Sequence, residues 1–269
     1  MIARLRTAIT SPHAREIGLY LGAYVAYLLL SKTFGSHEIA VANTERIIAA
    51  EQWLGIFWET AWQANAISVG SWTLVASNLV YVITYIPLIL VLAVVLFFKD
   101  RERYYHYRRI LFISLALALI VFSAFPMAPP IDTSGYGFVD SFREYGPAQY
   151  LDSDFTAARN AVAAMPSMHF AWTLAFGIMF FTSRTLWFKP LLLLYPGVTL
   201  WAIVVSGQHF FLDAVAGSGL LAVTYGVHNI YLRRHWLRLT WAQNQAIPFL
   251  RRLPLQLATS IRSGRLGRI

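Results

Sequence analysis

Between Thr60 and Phe98 the chain carries no charged residue. A bilayer's hydrocarbon core takes about 20 helical residues per crossing, so this stretch is too long for one upright helix. The segment from Ala61 to Gly70, which contains Asn65, Ser68 and Gly70, is therefore expected to be re-entrant or interfacial, with the crossing itself running from Ser71 to Phe98. Five more apolar stretches complete a set of six predicted spans: Ile17 to Ser31, Ile110 to Phe125, Ser167 to Thr182, Pro190 to Ser206 and Phe210 to Leu232. The expected fold is an all-α polytopic membrane protein, a six-helix bundle. Composition agrees, since 57% hydrophobic residues with only 13% charged, and a positive mean hydropathy, exclude a soluble domain of ordinary make-up.

Lysine and arginine set the expected orientation. Four of the 22 basic residues, Lys32, Arg46, Arg143 and Arg159, fall in the first and third loops, and none lies between spans five and six. The remaining 18 precede span one, follow span six, or lie between spans two and three or four and five. The positive-inside rule then predicts cytoplasmic termini and outward-facing loops one, three and five, with the plasma membrane as the expected location. The basic N-terminus followed by a short apolar run is read as an uncleaved anchor, because no small-residue cleavage site follows it. Cysteine is absent, which removes disulfide and thiol chemistry. The net charge of +9 sits on cytoplasmic segments, where anionic headgroups rather than nucleic acid are the expected partner.

Residues 1–232 read as the membrane domain and 233–269 as a basic cytoplasmic tail. The tail mixes arginine with Trp236, Trp241 and Phe249, which suits either inner-leaflet contact or a weakly ordered basic extension. Between spans one and two, "NTERIIAAEQWLGIFWETAWQ" places Ile47, Ile48, Leu54, Phe57, Trp58 and Trp62 at helical spacing among Glu45, Glu51 and Glu59, predicting an amphipathic helix on the outer interface. Residues 127–166, broken by Pro129, Pro130, Gly135, Gly137, Gly146 and Pro147, are expected to roof the bundle. Tyr136, Phe138, Phe142, Tyr145 and Tyr150 give this loop its bulk, as a structural lid or a platform for an acceptor.

Of seven histidines, two stand at the outer ends of predicted spans: His169 in "PSMH" and His209 in "GQHFFLDAVAG". Forty residues separate them, one helix down and one back, so both return to the same face. Asp213 follows His209 by four residues, which places the two side chains on one helical face, and it is the only acidic residue within the six spans. A carboxylate in a membrane helix is costly and is usually paired or functional. Such an aspartate fixes the tautomer of His209 and leaves the other ring nitrogen to attack phosphorus. His169 is then placed to protonate a departing alkoxide. Pro166 suits a helix start, where the N–H groups of Ser167, Met168 and His169 are expected to be free for anionic oxygens. Two other readings use the same residues: helix-packing hydrogen bonds, or an iron or zinc site built from His169, His209 and Asp213.

The ordered pair of motifs, P-S-x-H and H-x-x-x-D, resembles the type 2 phosphatidic acid phosphatase superfamily of membrane phosphatases and phosphotransferases. The resemblance implies a six-span bundle working through a phosphohistidine without metal or other cofactor, with His209 as nucleophile, Asp213 as its partner and His169 as acid. "FPMAPPI" upstream is similar to the A-P-P segment of the inositol phosphorylceramide synthase-like branch. This chain departs from the wider superfamily, which carries a lysine and arginine motif and an arginine six residues before the nucleophile. Here Ile203 holds that place, and no lysine or arginine occurs from Ile110 to Phe142. Substrate phosphate is therefore expected to meet Arg143, Arg159, Asn160, Gln208 and the helix start at Ser167. The implied substrate is a membrane lipid phosphate or phospholipid headgroup, with water or an alcohol such as inositol as acceptor. A scaffold or transporter is the competing class, and a transporter would place its polar groups nearer mid-membrane.

Overall fold

The computed structural model describes residues 12–31, 33–145, 161–182 and 186–251, with backbone alone from 233. Lys32, Arg159, Asn160 and Arg184 lie outside the described residues. Ten α-helices occur among those described: α1 (Pro12–Ser31), α2 (His37–Leu54), α3 (Glu59–Val69), α4 (Ser71–Thr84), α5 (Ile86–Lys99), α6 (Arg101–Ala124), α7 (Ser141–Tyr145), α8 (Met168–Phe181), α9 (Leu191–Val205) and α10 (Phe211–Arg251). Among the described residues, those up to Thr224 form one compact unit and those from Tyr225 a second, and α10 continues through the predicted tail boundary as far as Arg251. Helices stand at all six places read as spans. Three helical stretches, Ser71–Lys99, Arg101–Ala124 and Leu186–Val205, are long and apolar enough to cross a bilayer, and α8 is a shorter apolar helix of 14 residues. Their outward faces carry Val91, Val94, Phe98, Leu193 and Leu194, all exposed, as lipid-facing surfaces would. These apolar helices suggest a membrane protein.

The stretch read as span two is two helices. Pro87 lacks the N–H that would bond to the carbonyl of Ile83, and the chain breaks at Tyr85 between α4 and α5. The break leaves the Thr84 carbonyl to accept from the Tyr195 hydroxyl of α9 at 2.7 Å. Further along, α8 packs against α9 so closely that a Cβ on Gly177 would lie 3.0 Å from the Leu192 carbonyl. The opposite face of α8 buries Trp172 and Phe176 against α6, where the indole N–H donates to Ser114 at 2.9 Å. On the far side α1 is tied to α6 by Glu16, which accepts from Tyr104 at 2.7 Å and pairs with Arg108.

The predicted interfacial helix is also two helices, and the face it buries is mixed. Gly55, with φ +70°, ends α2 in the left-handed conformation and lets α3 begin at Glu59. The side chains turned into the protein are Asn43, Thr44, Glu51, Glu59 and Gln63 together with Ala40, Ile48 and Ala66, while Trp53 is 85% exposed and Trp58 54%. A helix in water buries its apolar stripe. This pair buries polar groups beside Ile48, and the cause is the neighbouring backbone, which has no ladder of its own and takes its hydrogen bonds from these side chains. Asn43 donates to the Pro126 carbonyl at 2.8 Å, and Thr44 both donates to the Ala128 carbonyl and accepts from its N–H. Gln63 donates to the Val139 and Val205 carbonyls and accepts from the Val139 N–H.

These contacts fasten the roof. Met127 and Ala163 form a parallel bridge that joins the start of the loop to its return, the one bridge among the described residues. Ser141 donates to Asn78 at 2.7 Å, and Asn78 returns a bond to the Ser141 carbonyl. Tyr136 and Phe138 meet Phe57 edge-on, and Phe142 meets Tyr81. Three of the loop's aromatic rings thus pack inward onto the bundle.

Candidate active site

Helix α9 delivers the first histidine through its C-terminal cap. Gly207, at φ +71°, follows the last turn, its N–H donates to the Val204 carbonyl and that of Gln208 to the Ile203 carbonyl. This is a Schellman closure, which needs a residue that adopts φ > 0. The Ile203 carbonyl also accepts from the His209 N–H at 3.0 Å, so the last turn of α9 holds the backbone of His209. Two residues after His209, α10 begins.

At that start, Asp213 Oδ2 accepts from the Phe210 N–H at 2.9 Å and faces His209 Nδ1 at 3.1 Å. Asp213 is fully buried and His209 is 5% exposed. With Nδ1 committed to the carboxylate, Nε2 is the ring nitrogen left for chemistry. The second histidine stands opposite, its ring centroid 5.6 Å from that of His209. Met168, the first residue of α8, follows Ser167, which is fully buried and caps the helix by accepting from the Phe170 N–H at 3.3 Å.

The two motifs touch through backbone. The Ser167 N–H donates to the Asp213 carbonyl at 3.0 Å, and a Cβ on Gly217 would lie 2.5 Å from the Ser167 carbonyl. Glycine at 217 is what permits that approach. The same bond corrects an expectation: Ser167 does not offer a free N–H to an anion. Those of Met168 and His169, in the first turn of α8, have no acceptor among the described residues. The neighbouring N-terminus of α10 is already occupied, since Phe211 donates to Glu59 at 2.9 Å and Leu212 to Glu51 at 2.7 Å.

Other predicted residues fall as follows. Gln208 is buried beside His209, its side-chain amide 3.5 Å from the Ser206 carbonyl. Arg143 is exposed on α7, next to the Phe142 that packs on Tyr81. Arg159 and Asn160 lie outside the described residues. Among those described, no three His, Cys, Asp or Glu side chains are arranged to hold a metal ion.

Several residues at the site were not predicted. Tyr81 and Tyr85 stack on the His169 ring at centroid distances of 4.1 and 3.8 Å. They are one helical turn apart at the α4–α5 break, and the only sequence signal was Pro87. The Glu51 and Glu59 carboxyls, both fully buried, reach α10 from outside the predicted bundle. Burial, with the Glu59 and Asp213 carboxyls nearby, pushes Glu51 up to about 9, and Glu59 is also raised above its ordinary value by burial. Nearby, α3, α4 and α9 enclose an open cleft of about 300 Å³ lined by Trp62, Val69, Trp201 and Val205.

Apolar helices thus surround a buried imidazole–carboxylate pair with a second imidazole facing it. The sequence profile of the PAP2 superfamily matches residues 45–227, and the chain belongs to that superfamily. No curated protein and no solved structure matches it significantly. Membership suggests phosphatase or phosphotransferase activity.

Proposed function

We propose that this chain is a metal-independent lipid phosphatase or phosphotransferase that works by double displacement through His209. The observation that supports the reading most directly is the Asp213–His209 pair facing His169 across 5.6 Å. In the first step His209 Nε2 attacks phosphorus, the bond from phosphorus to the leaving alcohol breaks, and His169 gives that oxygen a proton. In the second step His169 takes a proton from water or an acceptor alcohol as its oxygen displaces phosphorus from Nε2. Charge on the phosphoryl oxygens is met by the N–H groups of Met168 and His169, with Arg143, Arg159, Asn160 and Gln208 as further contributors. The "FPMAPPI" segment favours the inositol phosphorylceramide synthase-like branch, and the cleft beside Trp201 suits an acyl chain.

Purified protein offered labelled lipid phosphates and phospholipids, with and without inositol, separates the two outcomes. Free phosphate identifies a phosphatase, and label moving to the added alcohol a transferase. Activity is expected to survive EDTA. Its loss on chelation and return with a divalent ion would support the iron or zinc reading instead.

The six crossings, and a site open to the extracytoplasmic face, are part of the same proposal. In this cysteine-free chain, Ser134→Cys, on the exposed roof, is expected to react with an impermeant thiol reagent on intact cells. Arg101→Cys, at the start of α6, is expected to stay unlabelled until the cells are opened. The reverse pattern would put the histidines on the cytoplasmic side.

A further inference from the structure

Glu51 and Glu59 are eight residues apart, and the left-handed turn at Gly55 folds α2 and α3 so that their carboxyls come within hydrogen-bonding reach of each other. One oxygen of each is used: Glu51 Oε1 accepts from the Leu212 N–H at 2.7 Å and Glu59 Oε1 from the Phe211 N–H at 2.9 Å. The remaining oxygens, both Oε2, are buried and find no donor among the described residues. Among the described residues, no lysine, arginine or histidine pairs with either carboxyl. Among the described residues, Asp213 of α10 is the other carboxylate that bears on both. Three ionised carboxylates packed round one helix start would repel each other strongly, and a single proton held between the Oε2 atoms supplies the missing donor while removing one charge.

We infer that Glu51 and Glu59 act as a proton-sharing carboxyl pair that clamps the first turn of α10 and so positions Asp213 and His209 for phosphoryl transfer. The inference rests on the histidine mechanism proposed above. Neither glutamate touches the reacting atoms. Their effect passes through the backbone of Phe211 and Leu212, the second and third residues after His209. All four N–H groups at this helix start are thereby satisfied: Phe210 by the Asp213 side chain, Phe211 and Leu212 by the pair, and Asp213 by the Phe210 carbonyl. The carboxylates also suit the positive end of the helix.

The shared proton predicts a pH response. A carboxyl in the unfolded chain releases its proton near about pH 4.3, whereas burial holds it on Glu51 up to about 9. The folded state therefore carries the extra proton between those values. The pair's contribution to stability is whole at the acid end and is lost as pH rises through that window.

The test compares the wild type with Glu51→Ala and Glu51→Gln in detergent, by kcat, KM and melting temperature from pH 5 to pH 10. Glutamine keeps an acceptor for Leu212 and a donor for Glu59 but has no proton to lose. Glu51→Ala is expected to lower kcat by at least about tenfold with KM little changed, as loss of a charged hydrogen bond at a buried cap would. Glu51→Gln is expected to restore most of that loss, to flatten the fall of melting temperature with pH, and to remove the alkaline decline of kcat near about pH 9. Parallel pH profiles for wild type and Glu51→Gln would overturn the inference, as would undiminished kcat in Glu51→Ala. A wild type with no phosphoryl-transfer activity would instead defeat the histidine mechanism. The melting profiles would then still decide whether the pair shares a proton.

Discussion

His209→Ala is expected to abolish turnover and the covalent phosphoenzyme together, a loss on the order of 10⁴-fold or more, because no other group at the site is placed to take its role. Asp213 holds Nδ1 and is fully buried, and His169 stacks on Tyr81 and Tyr85 with its ring centroid 5.6 Å away. Circular dichroism and melting temperature should change little. The backbone of His209 stays bonded to Ile203, and the ring's neighbours, Asp213, His169 and Tyr81, are each held by further contacts of their own. An alanine enzyme that still turned over at a tenth of the normal rate would mean that phosphorus is attacked directly by water or alcohol.

His169→Ala is expected to cost about 10²- to 10⁴-fold with a lipid alkoxide as leaving group, the usual worth of a positioned general acid. With a nitrophenyl phosphate, whose leaving group departs without a proton, the loss should shrink to a few-fold. The contrast between substrates is what assigns the role, since misplacement of His209 would slow both alike. The placement behind this expectation is firm: the Ser167 cap fixes the first turn of α8, and the bond from Ser167 to the Asp213 carbonyl sets that turn against α10. Equal losses with both leaving groups would make His169 a packing or binding residue.

The sequence carried the positions of the apolar helices, because an uncharged stretch has few alternatives to a buried or lipid-facing helix. It also carried the meeting of His169, His209 and Asp213, which needs only helical spacing and a down-and-back path. What it concealed has physical causes. The helical spacing of α2 and α3 was visible, but periodicity alone does not say which polar residues share the buried face with Ile48 when lipid can cover Trp53 and Trp58. Glu51 and Glu59 therefore read as a solvated face, although both are fully buried. Nothing in the spacing of Tyr81 and Tyr85 marks them as neighbours of His169, since their place depends on the α4–α5 break at Tyr85. The free N–H of Ser167 was an expectation from helix geometry in isolation, and the neighbouring Asp213 carbonyl removes it. Of the arginines offered for phosphate, Arg143 is on the exposed face of α7 and Arg159 is outside the described residues.

The most direct test of the account is to trap the intermediate. Protein mixed briefly with a ³²P-labelled lipid phosphate and quenched in alkali should retain label that is stable to base and released by acid, the signature of a phosphoramidate. Peptide mapping should place it on the fragment containing His209, and Asp213→Asn should reduce its amount without moving it. Label on His169, or turnover with no acid-labile label on any histidine at the shortest times accessible, would contradict the double displacement proposed here.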